Sequence, residues 1–320
     1  MHTILGAGGP ISNALTAELS KANHVTRLVS RKPVKGGGLS RWIRADLLNY
    51  PEVLQAVRGS AVVYLCAGLV YDKTVWQQQW PVIMQNVINA VKETGARLIF
   101  FDNVYMYGKV EGAMTETTPY NPCSVKGEVR AKIATTLMNE AAAGNIKASI
   151  ARSADFYGAS GSANSFFDSM VLDKLWKGQK ALWMGNAAAL HSFTFVPDAA
   201  RGLFLLGQDP QSENQVWHLP TAGAATGHEL IRTAAEVSGA APKFMKVNKL
   251  MLKTLGLFNQ GIKGTVEMYY QYEYDYNFTS AKFEKIFSYQ PVSYREGMKR
   301  LFETYYNGNS VSQQDAPILV

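Results

Sequence analysis

Short apolar runs alternate with longer amphipathic stretches through the first half of the chain. Met1–Leu5, His24–Ser30, Trp42–Asp46, Ala61–Cys66, Arg97–Asp102 and Lys147–Ala154 read as strands. Between them, Ile11–Lys21, Pro51–Val57, Trp80–Thr94 and Lys126–Ala143 read as helices. Strict alternation of the two predicts βαβ units, and therefore an α/β protein built on a doubly wound parallel sheet. Ala61-Val62-Val63-Tyr64-Leu65-Cys66 and Leu98-Ile99-Phe100-Phe101 are near-continuous apolar runs, as strands covered on both faces require.

After Gly158 the alternation breaks into a Gly/Ser/Asn stretch and an aromatic-rich helical pattern within Ala159–Asn186. A core-like helix at Arg201–Gln208, a strand at Val216–Pro220 and a helix at Gly227–Gly239 follow. The expected organisation is a nucleotide-type domain over 1–158, rejoined by 190–208, and a smaller mixed C-terminal lobe over 159–189 and 209–306. The polar, aperiodic 307–320 segment reads as a frayed tail.

The 320 residues, 47% hydrophobic and 18% charged, can bury a substantial core, which rules out disorder as the main state. No apolar run approaches the 18 or so residues of a membrane span, so no membrane partner is expected. The first residues lack the pattern of a secretion signal. With Cys66 and Cys123 alone, each expected inside an ordered element, a reducing, cytoplasmic compartment is the expectation. The five histidines show no ligand spacing, so no metal site is expected.

Thirty-two basic residues against 25 acidic ones leave a net charge of +7, which points to an anionic ligand or a nucleic-acid footprint. Arg27, Arg31, Lys32, Lys35, Arg41 and Arg44 cluster without an acidic residue, and Lys243, Lys246, Lys249, Lys253 and Lys263 form a second basic stretch. The first cluster has no interleaved aromatic except Trp42 and matches no nucleic-acid module, so no nucleic-acid partner is expected.

Gly6-Ala7-Gly8-Gly9-Pro10-Ile11-Ser12 follows the first strand and opens a helix, the context of a dinucleotide fingerprint. Gly6, Gly8 and Gly9 allow a tight turn, and the helix start at Pro10 and Ile11 offers amides and a favourable dipole to a pyrophosphate. Where an acidic residue would hold a ribose 2′-hydroxyl, the second strand ends in Ser30-Arg31-Lys32. Arg31 and Lys32 suit a 2′-phosphate instead, so NADP(H) is expected over NAD(H). Asp46 and Leu47 are expected along the adenine, Cys66, Ala67 and Gly68 beneath the ribose, and Asn86 beneath that floor.

These turns, together with Asn103-Val104-Tyr105-Met106-Tyr107-Gly108, Thr115–Pro119, Asn121-Pro122, Arg152–Gly158 and Phe193–Ala200, resemble the extended short-chain dehydrogenase/reductases. More narrowly, the chain resembles the NAD-dependent epimerase/dehydratase group. The resemblance implies a Rossmann-like domain, a nicotinamide cofactor and a small, nucleotide-sugar-like substrate in the C-terminal lobe. It also implies a homodimer through Trp80–Thr94 and Lys126–Ala143.

The family's Ser-Tyr-Lys trio is replaced. Aligned on Pro122 and Gly127, Lys126 stands at the tyrosine position, Arg130 at the lysine position and Asn103 at the serine position. Lys126 and Arg130, four residues apart on a helix, share a face. Lys126 is expected as a general acid/base whose pKa is lowered by burial and by Arg130. Two cations would also favour the reduced cofactor. Asn103 and Tyr105 are candidate donors to a carbonyl oxygen, and Asp155, Tyr107 and His191 are candidate substrate contacts. Alternatively, Asp102 or Asp155 neutralises Lys126 in a salt bridge, leaving an NADP(H)-binding sensor or regulatory protein without chemistry.

Overall fold

The computed structural model describes residues 1–159, 165–258 and 260–306. The expected tail at 307–320 and the Gly/Ser segment at 160–164 lie outside them. The alternating pattern folds into one sheet of seven parallel strands: β1 His2–Leu5, β2 Thr26–Ser30, β3 Ser40–Arg44, β4 Val62–Leu65, β5 Arg97–Asp102, β6 Ala148–Arg152 and β7 Val216–His218. Their spatial order is β3-β2-β1-β4-β5-β6-β7. The principal helices are α1 Pro10–Lys21, α2 Tyr50–Val57, α3 Lys73–Thr94, α4 Val125–Ala142 and α5 Val196–Gln208.

The unbroken apolar runs follow from this layering. Neighbouring strand residues point to opposite faces, and both faces are covered. Leu5, Val29, Leu65 and Phe100 pack with Trp80, Ile83, Ile133 and Leu137 of α3 and α4. Their sequence neighbours Ile4, Leu28, Tyr64 and Ile99 pack with Leu15 of α1 and Leu203 of α5.

Several expectations shift. The third strand runs from Ser40 to Arg44, two residues earlier than its apolar run implied, so Asp46 and Leu47 lie in the turn beyond it. Helix α3 begins at Lys73 rather than Trp80, because Asp72 Oδ1 caps it by accepting from Thr74 N (2.8 Å) and Val75 N (3.1 Å); Pro81 is carried inside the helix. The stretch 216–218 belongs to the first domain, not the lobe, since Val216–His218 pairs with Ile150–Arg152 and completes the central sheet. Cys123 is exposed in the loop before α4 rather than held in an element.

The smaller lobe has its own core, in which Phe167, Leu172, Trp183, Phe193, Leu230 and Met298 meet. Its helix Gly227–Ser238 starts in a reciprocal cap between Thr226 and Glu229. Parallel pairing of Asp155–Tyr157 with Phe193–Phe195 stitches the lobe to the strand that leaves β6.

Trp80 links the core beneath the sheet to the charged residues at the strand ends. It is fully buried, its ring lies 6.0 Å from Phe100, and Arg130 Cζ stands 4.0 Å from its ring centroid. Trp80→Ala is expected to lower the unfolding free energy by about 3–5 kcal/mol in urea titration, and a loss below about 1 kcal/mol would mean the space collapses around it.

Candidate dinucleotide and substrate site

The strand order reverses between β1 and β4, which opens a crevice beyond their C-terminal ends. Gly6, at φ +85°, turns there with its amide on the Val29 carbonyl (3.0 Å), and a side chain at this position would run into the Ala67 backbone. Gly8, at φ +105°, donates its amide to Ser12 Oγ (3.0 Å), which in turn donates to the Gly9 carbonyl (2.9 Å). The first intrahelical bond of α1 runs from Asn13 N to Gly9 O, so the Ile11 and Ser12 amides precede the ladder beside Pro10. A Cβ on Gly9 would meet nothing nearer than Ser12 Oγ at 3.9 Å, and one on Gly68 nothing within 4 Å. This open, amide-lined turn fits a pyrophosphate.

Around the far end of the crevice most polar side chains are occupied in shaping loops. Ser30 Oγ accepts from Trp42 Nε1 (3.0 Å) and donates to the Lys32 carbonyl (2.6 Å). Asp46 Oδ1 accepts from Leu48 N (3.0 Å), and Asn86 Nδ2 donates to the Leu47 carbonyl (3.0 Å). Cys66, just past β4, has its thiol pushed up to about 12 by burial and stays neutral. Arg31 and Lys32 are the exposed groups beside these turns.

Lys126, Arg130 and Asn103, expected in place of the family's trio, lie near the C-terminal end of β5. Lys126 is fully buried; its ammonium binds Glu267, donates to the Gly264 carbonyl (2.8 Å) and lies 4.1 Å from the Tyr71 ring centroid. Burial lowers its pKa while Glu267 opposes the shift. Arg130 pairs with Asp102 Oδ1 (3.1 Å) over Trp80 and Trp76. Arg152 Nε lies 3.6 Å from the other Asp102 oxygen. The partner of Lys126 is therefore Glu267, rather than Asp102 or Asp155. Lys126 has its own carboxylate, whereas Arg130 and Arg152 share Asp102.

Asn103 Oδ1 accepts from Tyr105 N (3.1 Å) and fixes the short turn at Tyr105–Tyr107. Tyr105 stacks on Trp76 and receives a 3.0 Å hydrogen bond from the Tyr71 hydroxyl. Burial first, then Asp155, raises the Tyr105 pKa; burial and Tyr105 do the same to Tyr71, so both remain protonated at neutral pH.

Asp155 Oδ2 accepts from Tyr272 OH (2.9 Å) and lies 3.3 Å from His191 Nε2. His191 is stacked between Tyr272 and Tyr276, each ring 4.5 Å away, and is wholly buried. Tyr107, a candidate substrate contact, instead lies fully buried behind this cluster. Its hydroxyl accepts from Arg152 (2.6 Å) and meets His218 Nε2 at 2.8 Å. Among the described residues no group of three or more His, Cys, Asp or Glu side chains is placed to hold a metal ion.

The sequence profile of the NAD dependent epimerase/dehydratase family matches residues 2–219. The chain belongs to this family. No curated protein matches it in sequence. Among solved structures, MoeE5 in complex with UDP-glucuronic acid and NAD superposes with a TM-score of 0.78 at 20% identity, covering 96% of this chain and 99% of that one. A UDP-glucose 4-epimerase from Thermus thermophilus with NAD gives 0.76 at 17% identity over 97% and 100%. A UDP-N-acetylglucosamine 4-epimerase from Bacillus cereus gives 0.78 at 12% over 99% and 98%. At these identities the likeness is one of fold.

In this epimerase/dehydratase family member, sequence reasoning missed Tyr71, Arg152, Gly264 and Glu267. Glu267 had one signal: it is the sole carboxylate between Glu236 and Glu273. Tyr71 had none, because its approach to Lys126 depends on how the loop after β4 meets the lobe.

His218 supplies a pH test of the buried network. Burial first, and then Arg152, hold its pKa down to about 3 from 6.5, so the folded protein keeps it neutral while the unfolded chain protonates below 6.5. Its contribution to stability is fully present above that value and is lost progressively as pH falls toward 3. Urea titrations between about pH 7 and pH 5 should show falling stability with acidification. His218→Gln should flatten that slope while lowering stability throughout; an unchanged slope would remove His218 from the acid response.

Proposed function

We propose that the chain binds NADP(H) at the switch point and acts as an oxidoreductase or epimerase-like enzyme on a carbonyl or hydroxyl group of a small, nucleotide-sugar-like substrate. One observation carries this reading: an open amide cradle beside Gly9 and Gly68 shares the strand ends with a protonated hydroxyl pair, Tyr71 and Tyr105. When bound, the nicotinamide supplies hydride transfer. Arg31 and Lys32 favour a 2′-phosphate, the guanidinium by its fork and the ammonium as a point charge. Solved structures of this fold holding UDP-glucuronic acid or UDP-glucose support the substrate class.

Tyr105 is the proton-exchanging group in this reading. Tyr71 donates to its oxygen, leaving the Tyr105 proton to offer to a substrate. A hydroxyl that stays protonated donates to a carbonyl oxygen more readily than it deprotonates an alcohol, so reduction is the favoured direction. Lys126, paired with Glu267, and Arg130, which shares Asp102 with Arg152, position the surrounding segments rather than move protons.

The same closed ion pairs favour a second reading, in which NADP(H) is bound without turnover and its state is reported to a partner.

Fluorescence titration tests the cofactor. NADPH is expected to bind at least about tenfold more tightly than NADH, and Arg31→Ala to weaken NADPH by about tenfold while sparing NADH, about the worth of one charge-assisted contact. Equal affinities would remove the NADP preference, and no binding of either would withdraw the cradle. Turnover of a UDP-keto-sugar, followed by nicotinamide absorbance, tests the chemistry. Tyr105→Phe is expected to slow it by roughly 10²–10⁴-fold, and undiminished turnover would take Tyr105 out of the mechanism. A partner captured only with NADPH, in the absence of any turnover, would establish the second reading.

A further inference from the structure

Between Glu236 and Glu267 the chain carries five lysines, at 243, 246, 249, 253 and 263, and no carboxylate. Among the described residues the same stretch also holds the most exposed large apolar side chains: Leu250 at 72%, Leu257 at 79% and Phe258 at 88%. Exposed leucine and phenylalanine concentrated in one place are unusual on a surface facing only water.

The local geometry puts charge and apolar groups side by side. Helix Lys249–Leu255 is capped by Asn248 Oδ1, which accepts from Met251 N (2.9 Å), and it buries Leu252 in the lobe's core. The coil continues past Leu255, since Leu257 N reaches Thr254 O (3.2 Å) and Phe258 N reaches Leu255 O (3.1 Å). Leu250 and Leu257, seven residues apart, therefore stand on the outer face with Lys253 between them, away from buried Leu252. The turn at Gly256 abuts the backbone of Lys263, and Gly264 in turn abuts the carbonyl of Tyr71, next to Val70, which is 68% exposed.

From this we infer that the exposed face of residues 249–258 docks on an anionic lipid surface, with Leu250, Leu257 and Phe258 entering the headgroup–acyl boundary and Lys249 and Lys253 meeting lipid phosphates. Charge complementarity selects the occupant. A second copy joined through the same face would set lysines against lysines. Nucleic acid would satisfy the lysines but leave Leu250 and Leu257 in water. A bilayer surface takes both, as amphipathic basic segments do. No described helix is long and apolar enough to cross a membrane, so the association is peripheral. Gly264 and Glu267, which hold Lys126, follow this segment in the chain.

Co-sedimentation of the full chain with vesicles decides the matter. The protein is expected to pellet with phosphatidylcholine–phosphatidylglycerol vesicles, to stay in solution with phosphatidylcholine alone, and to bind at least about tenfold less at high salt. The double substitution Leu257→Ser and Phe258→Ser, and separately Lys249→Glu with Lys253→Glu, should each weaken vesicle binding about tenfold or more while leaving NADPH affinity unchanged. These side chains are exposed, so unaltered thermal unfolding checks that the fold survives. Failure to pellet with anionic vesicles, equal binding to neutral ones, displacement by an oligonucleotide in preference to lipid, or a dimer that the Leu257/Phe258 variant dissolves would overturn the inference. None of these outcomes depends on whether the crevice binds NADPH.

Discussion

One buried carboxylate holds two arginines at the C-terminal end of the central sheet. Asp102 comes from β5, Arg152 from the adjacent β6 and Arg130 from the helix between them, so the cluster ties two strands and α4 at one point. Removing the carboxylate would strand buried positive charge, a change that typically costs about 3–5 kcal/mol. The surplus cation is accommodated by ring faces: Trp76, Trp80 and Phe100 beside Arg130, Tyr107 and Tyr120 beside Arg152. The early start of α3 matters because it brings Trp76 into that cage.

With Arg130 locked in place, the chemistry available at this end of the crevice changes. A general acid/base must reach its substrate with a free proton or lone pair. The ammonium of Lys126 is enclosed by Glu267, Gly264 and Tyr71, and the guanidinium of Arg130 by Asp102 and indole rings. The hydroxyls of Tyr71 and Tyr105 lie beside them. The lobe thus does more than shape a pocket: through Glu267 it determines the state of a residue in the first domain.

The layered α/β fold was legible because its signals are local. Strand positions followed from short apolar runs, and the glycine turn from residues whose backbone conformations admit little else. Boundaries failed where a tertiary partner or a cap outweighed the run: Asp72 extended α3 over the seven residues before Trp80, and β7 joined the sheet although its three residues carry too little pattern to show which layer they enter. At the site, the resemblance implied Lys126 and Arg130 as neighbours on one helix face. The partner of Lys126 was not legible, because Glu267 lies 141 residues from it along the chain.

Hydrophobic period and glycine placement are properties of neighbouring residues, and the sequence by itself determined from them a doubly wound sheet and a dinucleotide-type turn. Which carboxylate meets which cation, whether Tyr107 faces a ligand or the Arg152–His218 network, and where exposed Leu257 and Phe258 stand relative to the lysines were decided only by the tertiary structure. Burial makes those pairings decisive. An ionic group removed from water must find its partner among whatever the fold brings near, and that choice depends on contacts between segments far apart in the chain.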